Sequence, residues 1–205
     1  MALLDVVIDV SDAQGRIDWP SVANTGIKVA IVKATESDTF TASTWHANLR
    51  GATGMGIKVI PYHFIGRGRI VDQVAHFRSV AGLTHGMAYA LDWEGHRTAA
   101  AADVQQMGEA LADIAGRMPL GYWGIPGSTP ETPTQLMDGW DRWVPRYPVR
   151  GIADFNEMPL AHEVGPVPFL FWQYTSEGRV PGIMGPVDRS VASFDDIEQL
   201  IRWCG

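Results

Sequence analysis

Short apolar runs that each stop at a polar or acidic residue recur along the chain, and their recurrence restricts the fold more than any other feature. Residues 6–11, 28–36, 57–64 and 87–95 are too short and too apolar to be free-standing helices, so they read as buried strands. Residues 120–124, 142–147 and 169–175 continue the series, with a weaker last strand around 185–188. Helical spacing of apolar residues separates them: Trp45, Leu49 and Ala52; Ile70, Val74, Phe77 and Ala81; Val104, Met107, Leu111, Ile114 and Met118 over 98–117; and Ile197, Leu200 and Ile201 at the end. Asp18 before Pro20 caps a further short helix, and Thr132-Pro133 starts another. Strands alternating with helices across short turns build a mostly parallel α/β sheet with the helices outside. About eight strands suggest closure into a (β/α) TIM-like barrel. At 205 residues the chain falls below the roughly 250 usual for that fold, so some crossovers lack helices and the barrel is irregular. Pro61, awkward inside a ladder, predicts a bulge or a strand end where Tyr62 and His63 emerge.

Parallel α/β folds collect their chemistry where the strands end. Asp92 and Glu94 stand two apart at such an end, so they project to one side with Trp93 turned opposite. Two like charges side by side cannot both ionise freely, and one carboxyl is expected to rise in pKa. A protonated carboxyl beside an ionised one is what acid-catalysed cleavage of a glycosidic bond requires. Asp9 and Asp188 bring further carboxylates from other strand ends. The plain alternative is that Lys33 and Arg189 neutralise these acids in salt bridges. Tyr62, Tyr122, Trp172 and Tyr174 come from the same ends and serve either as core or as faces on which sugar rings stack. Clustered carboxylates also bind Mg²⁺ or Ca²⁺, which leaves a metal-dependent phosphodiesterase-type barrel as a competing reading. His63, His76, His85 and His96 show no ligand spacing, so neither a metal site nor a cofactor is expected.

A composition of 46% hydrophobic and 19% charged residues fits one globular domain over residues 1–205, expected to be a monomer. A net charge of −7 without any cluster of Lys or Arg argues against a nucleic-acid partner. The single cysteine, Cys204, permits no internal disulfide, so the core must hold the fold. No apolar run approaches the ~20 residues of a membrane span, and the first residues lack a basic segment followed by a cleavable apolar one. If the chain works outside a cell, its release is expected to depend on something else, such as a holin, lysis or a longer parent protein.

These blocks, taken in order, resemble glycoside hydrolase family 25, the lysozymes that act as N-acetylmuramidases on bacterial cell walls and are common in phage lysins. The matching residues are Asp9-Val10-Ser11 with Gln14-Gly15 and Ile17-Asp18-Trp19; Lys33-Ala34-Thr35-Glu36; Tyr62-His63-Phe64; Leu91-Asp92-Trp93-Glu94; and Trp172-Gln173-Tyr174-Thr175-Ser176 with Gly178 and Val187-Asp188. The resemblance implies an eight-stranded barrel with fewer outer helices and, as partner, the glycan strands of peptidoglycan. It implies Glu94 as general acid and Asp92 as the group that stabilises the oxocarbenium-like state or holds the substrate's N-acetyl group, in a retaining reaction. It also implies Asp9 and Asp188 as the rest of the acidic rim, with Tyr62, Tyr122, Trp172, Gln173 and Lys33 contacting sugar. Three positions depart from the family pattern: Ser37 stands where glycine is usual, Ser190 where asparagine is frequent, and Pro145 precedes Tyr147 in place of a smaller residue. A wall-binding module of the same fold that has lost turnover is the remaining alternative.

Overall fold

The structure is a computed structural model that describes residues 2–94, 99–122, 139–147, 151–157 and 169–205. Its strands are β1 (Ala2–Val10), β2 (Val29–Glu36), β3 (Phe40–Thr41), β4 (Lys58–Phe64), β5 (Ala90–Asp92), β6 (Leu120–Tyr122), β7 (Asp141–Pro145), β8 (Phe171–Gly178) and β9 (Val187–Phe194). Eight of them close a ring in the order β1, β2, β4, β5, β6, β7, β8, β9 and back to β1, while β3 pairs with the far end of β2. The expected irregular α/β barrel is therefore present. The neighbours from β1 to β8 run parallel, whereas β9 is antiparallel to both β1 and β8.

Antiparallel β9 corrects one expectation. Asp188 does not end a strand but begins one, and it reaches the same mouth as Asp9 because β9 runs downward from it, with Asp9 and Asp188 directly paired. The sequence around 185–188 looked weak because it is mostly the turn into a strand whose body, Arg189 to Phe194, lies beyond it.

Alternation of side chains divides each strand between two cores. Val7, Val29, Ile31, Ile60, Tyr62, Ala90, Leu120, Tyr122, Trp143 and Phe171 fill the barrel interior. Ile8, Val10, Ala30, Val32 and Leu91 point outward into a core shared with α1 (Trp19–Ala23), α2 (Trp45–Gly54), α3 (Ile70–Ala81) and α4 (Ala101–Ala115). The last helix, α5 (Ile197–Cys204), turns Leu200 and Cys204 into the interior core, with Ala88 N–H bonded to the Cys204 carbonyl and Lys58 Nζ to that of Gly205. This helix covers the barrel floor, at the end opposite the one where the parallel strands finish. Ile197, expected to face inward, is 38% exposed at the start of α5, where Asp196 caps the helix by accepting from Gln199 N–H. Asp18 precedes α1, but its carboxylate accepts from the Ser21 hydroxyl rather than from a backbone N–H.

Pro61 lies inside β4, one residue before β5 begins to pair. The irregularity expected near it falls on the neighbouring strand: Lys33 pairs with Tyr62 and Thr35 with His63, which leaves Ala34 as an extra residue in β2. The bulge turns Thr35 outward, where its hydroxyl is 2.7 Å from His63 Nδ1. His63 Nε2 lies 3.0 Å from Gln73 Oε1, which also accepts from Gly66 N–H, so Nε2 carries the ring proton and Nδ1 accepts from Thr35. Burial lowers the His63 pKa to about 4 and keeps the ring neutral. Thr98, Trp123, Gly124, the helix expected at Thr132-Pro133 and His96 lie outside the described residues.

Candidate active site

Four strands that open at the mouth each place one polar side chain above the apolar interior, because the inward parity continues past the last apolar residue. On β1 the order is Val7 then Asp9; on β2, Ile31 then Lys33; on β5, Ala90 then Asp92; on β8, Phe171 then Gln173. The loop leaving β1 is held by a reciprocal cap, in which Ser11 Oγ accepts from Ala13 N–H and Gln14 Oε1 accepts from Ser11 N–H at 2.8 Å. Gln14 Nε2 then reaches the Pro186 carbonyl, fastening this loop to the β8–β9 turn that leads into Asp188.

Asp9, Asp92 and Asp188 converge at the mouth, and Glu94, just beyond β5, stands exposed above them. Asp9 and Asp188 share a hydrogen bond. Burial, then the charge of Asp188, pushes the Asp9 carboxyl well above its ordinary range; burial also raises Asp188, against the lowering effect of that hydrogen bond. Asp92 is raised strongly by burial and next by the charge of Glu94, and its Oδ1 has no hydrogen-bond partner among the described residues. Glu94 is raised by burial, and Lys33 opposes the shift. The cause expected from the sequence was repulsion by Asp92. Desolvation instead lifts both groups, and the more deeply buried Asp92 holds its proton more firmly.

The expected neutralising pairs do not form among the described residues. Lys33 Nζ sits 2.6 Å from Glu36 Oε2 and 4.8 Å from the centre of the Phe64 ring. Arg189 points to the outer face, where it binds Asp5 at 2.6 Å and Asp154 at 2.8 Å. Among the described residues the four acids thus face one another without a contacting cation, which costs stability and is tolerated chiefly where charge is used.

Gln173 organises the wall opposite Asp92. Its Nε2 donates to Asp9 Oδ2 at 2.9 Å, and its Oε1 accepts from Tyr122 at 3.0 Å and from Tyr147. Two hydroxyl donors fix the amide orientation and so aim its N–H₂ at Asp9. Tyr122 packs edge-on against Trp143 at 4.6 Å, and the Trp143 indole donates to Ser190 Oγ at 3.1 Å, which gives the departure at Ser190 a structural partner beneath the acids. Tyr62 is raised by burial and by all four carboxylates, so it lines the same space. Tyr147 is not among the site residues expected from the sequence; the run 142–147 ends on it, but β7 stops at Pro145, two residues earlier. Trp172 is not at the mouth. Its parity is opposite to that of Phe171 and Gln173, and it lies outside the barrel among Phe155, Phe169 and Tyr174 with its indole donating to the Arg146 carbonyl.

Among the described residues no group of His, Cys, Asp and Glu has the arrangement of a metal site, and no helix is long and apolar enough to cross a membrane.

The model of Glycosyl hydrolases family 25 matches residues 8–183. An autolytic lysozyme of Clostridium acetobutylicum is 33% identical over 88 residues, 42% of this chain and 27% of that protein. Lysozyme M1 of Streptomyces globisporus is 27% identical across 89% of this chain and 66% of its own length, so the chain spans less than two thirds of either curated relative. Among solved structures, a bacterial lysozyme from Streptomyces coelicolor superposes with a TM-score of 0.75 at 24% identity, covering 96% of this chain and 95% of that one. The catalytic domain of endolysin ply40 from bacteriophage P40 of Listeria monocytogenes gives 0.74 at 19% identity, covering 100% and 98%. At these identities the two structures bear on the fold alone.

Proposed function

Because the chain belongs to glycosyl hydrolase family 25, we propose that it cleaves the β-1,4 bond between N-acetylmuramic acid and N-acetylglucosamine in peptidoglycan, with Glu94 as the proton donor. The observation that carries this reading is the pairing of an exposed, raised Glu94 with a buried Asp92 whose Oδ1 lacks a partner among the described residues. An acetamido N–H seated in the mouth satisfies that oxygen. The acetyl carbonyl is then oriented toward the anomeric carbon on the face away from Glu94. Glu94 gives its proton to the leaving glycosidic oxygen as the C–O bond breaks, and the acetyl oxygen closes on the anomeric carbon. Water opens the resulting ring, returning a proton to Glu94 and retaining the anomeric configuration. Asp9 and Asp188 share a hydrogen bond and border the acetamido pocket, with Tyr62, Tyr122 and Gln173 as its walls and Lys33 keeping Glu94 from too high a pKa. The partner is the glycan strand of the bacterial wall. Neither the metal-dependent barrel nor the non-catalytic wall module draws support from the family match.

Mass spectrometry of digested peptidoglycan tests the reading, because muramic acid at the new reducing ends is expected and N-acetylglucosamine there defeats it. Glu94→Gln is expected to lower release of reducing ends by about 10²-fold or more while the protein stays folded, as loss of a general acid does. Undiminished release by that variant removes Glu94 from its role.

A further inference from the structure

Outside the barrel, between residues 15–20 and the solvent side of α2, lies a cavity of about 740 Å³. Thr44, Ala47, Gly51 and Gly54 line it along one stripe of the helix. Gly51 is there because Trp19 needs the room: a Cβ at that position would stand 2.1 Å from Trp19 Cδ1. The floor is therefore an indole against bare backbone, an apolar surface suited to small side chains. Asn48 also lines the cavity. It is 2% exposed, and its Nδ2 has no hydrogen-bond partner among the described residues. An orphaned buried amide donor is destabilising, a cost that a ligand acceptor removes. Two exposed guanidinium groups, Arg16 and Arg50, flank it. The one acid of the lining, Asp18, already accepts from Ser21 at 2.6 Å. Donors thus outnumber free acceptors, and the cavity exceeds what a simple inorganic anion fills.

We propose that this cavity binds the terminal carboxylate of a short peptide with small side chains, namely the stem peptide carried by the glycan that the barrel mouth cleaves. The second half of that assignment rests on the peptidoglycan reading above. The upper edge of the cavity, at Gly15, Ser43 and Thr44, adjoins the loop that leaves Asp9, so a glycan in the mouth has its peptide within reach of it. Asn48 Nδ2 and the two arginines receive the carboxylate, and Trp19 with Ala47 takes the adjoining methyl groups.

The probe is N-acetyl-lysyl-D-alanyl-D-alanine, titrated into the full chain by calorimetry. Saturable binding is expected, weakened about fivefold or more by Asn48→Ala and by Arg50→Ala, and lost when the peptide ends in a carboxamide. Equal binding of the carboxamide, unchanged affinity in both variants, or no saturable binding overturns the site. In parallel, Arg50→Ala is expected to slow release of reducing ends severalfold from peptide-bearing peptidoglycan and to leave release from peptide-stripped glycan unchanged. Binding without that difference overturns the stem-peptide assignment. A wild-type chain that cleaves neither substrate defeats the muramidase reading instead, leaving the peptide titration to decide the site alone.

Discussion

Asp9 and Asp188 lie directly opposite each other in the antiparallel pairing of β1 with β9, and their carboxyl groups hold one hydrogen bond between them. Both groups have folded-state pKa values raised above those of the unfolded chain. The sign follows: their contribution is favourable below the unfolded carboxyl pKa near 4 and is lost as pH rises through the raised folded values.

Asp188→Asn is therefore expected to stabilise the protein at pH 7 by about 1–3 kcal/mol and to give little or no gain near pH 4. Turnover should fall at the same time, since the group is paired with Asp9 in the mouth. Denaturant melts at the two pH values check the first part. A variant less stable than wild type at pH 7 contradicts the account of the acid rim.

Lys33 is the cation that lowers the pKa of both Asp92 and Glu94, while its own ammonium is held by Glu36. With Lys33→Met both carboxyls rise further. The alkaline limb of the kcat/KM profile, where the proton donor is lost, should move to higher pH. A limb that stays in place or moves down separates Lys33 from the donor.

Ser37 has φ +53°, the left-handed region, and is the one non-glycine residue among those described to do so. A Cβ at Gly66 would meet Ser37 Oγ at 1.8 Å and Cβ at 3.0 Å. Ser37→Gly should stabilise the protein by about 0.5–1 kcal/mol through relief of backbone strain. Gly66→Ala alone should destabilise it, and adding Ser37→Gly should recover much of that loss because the clashing side chain is gone. A double-mutant cycle in urea measures the coupling, and strict additivity refutes the contact.

Trp172 packs outside the barrel against Phe155, Phe169 and Tyr174. Trp172→Phe is expected to cost about 1–3 kcal/mol of stability through the lost volume and the lost indole bond to Arg146, with KM unchanged. A raised KM with normal stability returns Trp172 to the sugar site.

Residue pattern alone determined that this chain alternates strand and helix, that about eight strands close, and that Asp9, Asp92 and Glu94 stand where strands end. Periods of 2 and 3.6 are local properties, written in Val7-Ile8-Asp9 or in Val104, Met107 and Leu111 without reference to the rest of the molecule. What depends on distant partners was decided only by tertiary structure. The direction of β9, and with it the reason Asp188 meets Asp9, is a pairing choice that residues 185–188 do not encode. Trp172 and Gln173 are adjacent and both polar-tipped, so which of them enters the barrel was set by register against Val144 and Pro145 of β7, and a shift of one would have exchanged them. The protonation order also came from depth: Asp92, at the end of β5 and flanked by β4 and β6, keeps only 7% of its surface exposed, a burial that no spacing between two carboxylates expresses.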